Sequence, residues 1–153
     1  MQIFFAIGQF VCKFVTSVVN QPPMSYLETI EDFAKRLHCR IIYKNEQNGI
    51  LKIDNQPDGI NNLIIGIAPP ILIMEQFLFS FREDNMDMFK RLLQKNRDTI
   101  HGAFVINEDG DKVLFRYTMQ LGNIDFNEFE GALNSLGLLL SEFAQPIIGF
   151  SKL

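Results

Sequence analysis

Residues 92–119, LLQKNRDTIHGAFVINEDGDKVLFRYTM, decide the fold. They read as the end of a short amphipathic helix, Leu92-Leu93-x-x-Asn96, then a Thr99-Ile100-His101-Gly102 bridge, then strands near Ala103 to Ile106 and Lys112 to Met119. Phe104 and Ile106 fall on one strand face, as do Val113, Phe115, Tyr117 and Met119, with Arg116 and Thr118 opposite. The connecting Asn107-Glu108-Asp109-Gly110-Asp111 has oxygens at alternate positions, yet a calcium loop fails there. Lys112 stands where an EF-hand needs Gly, and Thr118 where it needs a bidentate Glu. Asp109-Gly110 is hairpin chemistry.

On the upstream side, Asp84 or Asn85 caps the helix and Met88, Phe89, Leu92 and Leu93 form its buried stripe. Met86 and Met88 read as core gap fillers, and Lys90, Arg91, Lys95 and Arg97 as a solvated basic face. Downstream, Asp125 and Glu128 make a capping box that opens a long helix. Its wide apolar face holds Phe129, Ala132, Leu133, Leu136, Leu139, Leu140, Phe143 and Ala144, and Pro146 limits its far end.

Further upstream, Ser25 and Glu28 form another capping box, followed by a helix from about 26 to 38 that buries Leu27, Ile30, Phe33, Ala34 and Leu37. Glu31 and Lys35 form an i, i+4 pair on its wet face. Extended segments at Arg40 to Lys44 and Gly49 to Ile53 flank an Asn48-Gly49 turn, and Gln56-Pro57-Asp58-Gly59 leads into a strand over Asn62 to Ile67. Ala68-Pro69-Pro70 either bends a strand or leads into the next one, and since Pro69 and Pro70 cannot donate to a ladder they belong at an edge or a bulge. Ile71 to Phe81 is so apolar that it is either covered on both faces or turned towards a partner.

Residues 1–23 stand apart. Ile3, Phe4, Ile7, Phe10, Val11, Phe14, Val15 and Val18 recur at helical steps, and Asn20-Gln21-Pro22-Pro23 is a stop and short linker. No basic run precedes the apolar stretch and Lys13 interrupts it, unlike a secretory signal or a membrane span. Three readings remain: a helix docked on the domain or on its dimer mate, upstream sequence before a start at Met24, or an interfacial membrane helix. The expected organisation is thus an N-terminal helix and linker, 1–23, and one domain, 25–150.

Composition narrows the function. The 153 residues are 47% hydrophobic with a net charge of −4, enough for one real core and wrong in sign for a nucleic-acid partner. Fifteen Phe against three Tyr and no Trp favour packing and apolar grooves over hydrogen-bonded recognition. Cys12 and Cys39 form no paired motif and read as packing residues in a reducing compartment, and His38 and His101 are too few for a zinc site. No P-loop, G-x-S-x-G or H-E-x-x-H signature is present. Between Glu108 and Glu142 seven acidic side chains face only Lys112 and Arg116, a charge balance that would attract a basic partner segment.

The order helix, strands, helix, two strands, helix, together with Leu92-Leu93-x-x-Asn96, His101-Gly102-Ala103-Phe104, Asn107-Glu108-Asp109-Gly110 and Leu121-Gly122-Asn123-Ile124-Asp125, resembles the YbjN family and the wider type III secretion chaperone-like fold, which includes chaperones of the Tir type. The resemblance covers about residues 25 to 145. It implies an α+β domain, an antiparallel sheet of about five strands packed by helices, here with the extra N-terminal helix. It also implies a non-catalytic bacterial protein-binding module, a chaperone or regulator, that pairs as a homodimer in the cytoplasm and holds an effector or client segment without a cofactor. No binding residue transfers by motif. From apolar character alone, Ile71, Ile73, Phe77, Phe79, Leu136, Leu140 and Phe143 are the candidates for a partner or dimer surface. Two rival functions are a peripheral membrane-associated regulator using residues 3 to 18 and a small enzyme whose active site carries no recognisable motif.

Overall fold

The computed structural model describes residues 24–150, with side chains from Tyr26 onward. The helix read at 1–23 and the capping side chain of Ser25 lie outside the described residues. In chain order the elements are α1 (Met24–Arg36), β1 (Arg40–Asn45), β2 (Ile50–Asn55), a 3-10 turn (Gln56–Asp58), β3 (Ile60–Ala68), β4 (Ile71–Ser80), α2 (Met86–Asn96), β5 (Ala103–Ile106), β6 (Lys112–Gln120) and α3 (Phe126–Phe150). The strands form one antiparallel sheet in the order β1-β2-β3-β4-β6-β5, six strands where about five were expected. Each apolar run makes its own strand.

Local chemistry sets the element ends. α1 stops at a Schellman motif: Cys39 N–H donates to the Ala34 carbonyl at 2.9 Å and His38 N–H to the Lys35 carbonyl at 3.0 Å, with His38 left-handed at φ 58°. His38 and Cys39 therefore form the helix terminus. Burial pushes the Cys39 thiol pKa up, which suits an inert packing residue. Asn85 caps α2 by accepting from Met88 N–H at 3.0 Å, and Asp125 caps α3 by accepting from Glu128 N–H at 2.8 Å. The Asn107 Oδ1 accepts from both Asp111 and Lys112 N–H, and Gly110 sits at φ 74°, so the acidic turn is a hairpin. Glu31 pairs with Lys35 at 2.6 Å and also with Lys44 of β1 at 2.8 Å, tying α1 to the sheet.

Strand alternation sends one set of side chains to the helices. Leu51, Ile53, Leu63, Ile65, Ile67, Leu72, Met74, Phe104, Val113 and Phe115 share a cluster with Leu27 and Ile30 of α1, Met88 and Leu92 of α2, and Phe129, Ala132, Leu133 and Leu136 of α3. All three helices therefore bury their apolar stripes on the same sheet face.

Pro69 and Pro70, joined by a cis bond, lead from β3 straight into β4, one of the two readings the sequence allowed. Three expectations are corrected. α3 runs through Pro146 to Phe150. The proline removes one backbone donor, but Ile147 and Phe150 beyond it pack on the core, with the Phe150 ring 6.1 Å from Phe79. Leu93 is 70% exposed and Met86 78% exposed, because α2 is covered along Met88, Phe89 and Leu92.

Candidate protein-binding groove

The opposite sheet face carries the rest of the strand side chains. One row crosses all six strands in register: Tyr43, Lys52, Ile64, Glu75, Arg116 and Ala103. Beside it lie Ile50, Gly66, Ile73 and Thr118, and on its other side Phe77, Leu114 and Val105. Apolar rows thus flank a charged one. Arg116 Nε donates to Glu75 Oε1 at 2.6 Å, and its Nη2 also reaches that oxygen. Glu75 is 4% exposed, so the guanidinium is what makes a carboxylate tolerable in this apolar setting. Gly66 adds no side chain, leaving a trough between Ile64 and Ile73.

From this floor a cavity of about 1240 Å³ continues round the ends of β3, β4 and β6 to the outer side of α3. Its lining includes Ile64, Ile73, Phe77 and Leu114 of the sheet, and Leu138, Ala144 and Ile148 of the helix. Gly137 lets α3 pass close at the turn, since a Cβ there would lie 3.0 Å from the Asp58 carbonyl oxygen. Gln76 stands in the lining and is 4% exposed. Its Nε2 donates to the Asn61 carbonyl at 2.6 Å, while its Oε1 is the buried side-chain oxygen with no hydrogen-bond partner among the described residues. Such a groove offers apolar surface and one buried ion pair. Among the described residues no three His, Cys, Asp or Glu side chains gather as a metal site. Nor is any described helix long and apolar enough to cross a membrane.

The candidate residues divide over this architecture. Ile73 and Phe77 line the groove, and Ile71 lies on the same sheet face. Phe79 and Leu136, 3% and 5% exposed, are part of the helix-covered core, out of a partner's reach. Leu140 touches the groove from α3, whereas Phe143 packs on Phe104 with Lys95 Nζ 4.5 Å above its ring. Sequence reasoning missed Ile64, Gly66, Glu75, Leu114 and Arg116 as neighbours. Their shared strand parity was legible, but the β4–β6 pairing that joins them was not.

Similarity to known proteins follows the same architecture. No curated protein matches the sequence. YbjN from E. coli superposes with a TM-score of 0.57 at 11% identity over 78% of this chain and 92% of its own. The HopA1-SchA chaperone-effector complex gives a chain with TM-score 0.57 at 12% identity, over 89% of this chain and 100% of that one. The Yersinia pestis type III secretion chaperone SycH, solved with a fragment of YscM2, gives 0.49 at 16% identity over 82% and 99%. The first two likenesses show the fold. The CesT_Tir_1 family model matches residues 23–153, and with that match over most of its length the chain belongs to the CesT_Tir_1 family of type III chaperones.

Proposed function

We propose that this protein is a non-catalytic cytoplasmic chaperone that holds an extended segment of a partner protein in the groove between the open sheet face and the outer side of α3. The carrying observation is the continuity of that groove. Phe77, 38% exposed, leads round the strand ends to Leu138, 62% exposed, so one apolar path can take a segment of several residues. The family supports a protein-binding role, and SchA, of similar fold, was solved in a chaperone-effector complex. Pairing of two copies belongs to the same reading, on a surface other than the groove.

The test is a tagged full chain recovered from its native cells, with stoichiometric co-eluting protein identified by mass spectrometry. Phe77→Asp should lose that protein while the circular-dichroism spectrum and the unfolding midpoint stay native. A partner retained equally by Phe77→Asp and Leu138→Asp would exclude the groove. Light scattering on the full chain without its partner checks the pairing, which predicts twice the mass of one chain; a single-chain mass would exclude it.

A further inference from the structure

We propose that the apolar stripe of residues 3–18 of this same chain docks on the open sheet face and competes there with the client. The half concerning competition rests on the function proposed above. Two independent observations carry the docking. The first is an apolar sheet face that no described helix covers. Ile50, Ile64, Ile73 and Leu114 lie on the side away from the core cluster, and α1, α2 and α3 all pack on the other face. A bare antiparallel sheet face is ordinarily polar. This one is apolar.

The second is the fit of the chain outside the described residues. Ile3, Phe4, Ile7, Phe10, Val11, Phe14, Val15 and Val18 form a stripe about 24 Å long at helical rise. Six strands at their usual spacing make a face about 24 Å wide. The five residues from Val19 to Pro23 can extend about 17 Å, enough to carry the stripe away from the start of α1. The stripe contains no charged residue, so it asks nothing of the Glu75–Arg116 pair, and Gly66 leaves a trough that large side chains such as Phe10 or Phe14 can enter. A second copy's stripe competes for the same face only at its bulk concentration, whereas the chain's own segment is present at high effective concentration.

The test uses the full chain with the photoreactive p-benzoyl-phenylalanine at position 77. Irradiation over a wide range of protein concentration, followed by trypsin and mass spectrometry, should join position 77 to a residue before Asn20. The product should be monomer-sized, with a yield independent of concentration, and should disappear in Phe10→Asp/Phe14→Asp. Dimer-sized products that grow with concentration would overturn self-docking in favour of a second copy. Crosslinks confined to residues after Met24 would overturn it as well. Competition has its own readout: Phe10→Asp/Phe14→Asp should bind the apolar dye ANS severalfold more strongly and retain more co-eluting partner than the native chain. Intramolecular crosslinks with no gain in partner would uphold the docking and remove the client from this face. Loss of self-docking with partner retained would do the reverse.

Discussion

Asn96, the last residue of α2, is paired with Phe104 of β5 as a neighbouring strand would be. Its Oδ1 accepts from Phe104 N–H at 2.7 Å and its Nδ2 donates to the Phe104 carbonyl at 3.1 Å. β5 is the edge of the sheet, and one side chain thus satisfies both backbone groups on its outer side. Asn96→Ala should cost about 2 kcal/mol, two neutral hydrogen bonds with a half-buried amide left unpaired. Urea unfolding measures the loss, and hydrogen exchange should quicken at the Phe104 amide before the rest of the sheet.

Across the sheet, Arg116→Ala should destabilise by about 3 kcal/mol, the low end for breaking a buried pair, because Arg116 keeps some exposure while Glu75 does not. Glu75→Leu/Arg116→Leu removes both charges and should return to within about 1 kcal/mol of native stability. A double variant no better than Arg116→Ala would mean that the carboxylate contributes something other than its charge.

Gly102 and Gly110 both have left-handed backbones, at φ 78° and 74°, but only Gly102 is crowded. A Cβ on Gly102 would lie 2.7 Å from the Arg116 carbonyl oxygen and from the Phe115 ring, whereas none lies near Gly110. Gly102→Ala should therefore cost about 2–4 kcal/mol from left-handed strain plus overpacking. Gly110→Asn should cost under about 1 kcal/mol, since Asn accepts that conformation. Equal losses at the two sites, read from unfolding midpoints, would reject the steric account.

Asp54 gives the protein an acid-sensitive contact. Asn62 N–H, donating to its Oδ1 at 2.6 Å, and then Arg40, at 2.7 Å from its Oδ2, hold the carboxyl pKa below the ordinary aspartate value. A depressed folded pKa adds stability that is complete above the unfolded value, about 3.9, and fades as pH falls towards the folded one. Asp54→Asn should flatten that limb of a stability-against-pH curve measured from neutrality to strong acid. An unchanged limb would assign the acid sensitivity elsewhere, to Glu31 and Asp111, whose pKa values are also lowered by Lys35 and Lys44 and by Asn107 and Lys112.

What the sequence by itself determined is what short-range chemistry decides. Asn85 and Asp125 announce their helices because a cap acts within one turn, and Asp109-Gly110 announces its hairpin because the turn needs a positive φ there. The strand parity of Phe104, Val113 and Phe115, and the resemblance to type III secretion chaperones over about residues 25 to 145, were legible on the same footing. Only the tertiary structure decided which apolar side chains are covered. Leu93 sits at helical spacing with Phe89 yet faces solvent, and Phe79 looked like partner surface yet lies in the core. Pro146 failed to end α3 because packing of Ile147 and Phe150 outweighs one missing donor. The groove is the plainest case. Ile64, Glu75, Arg116 and Leu114 come together only when β3, β4 and β6 pair, and that register is set by contacts between residues far apart in the chain.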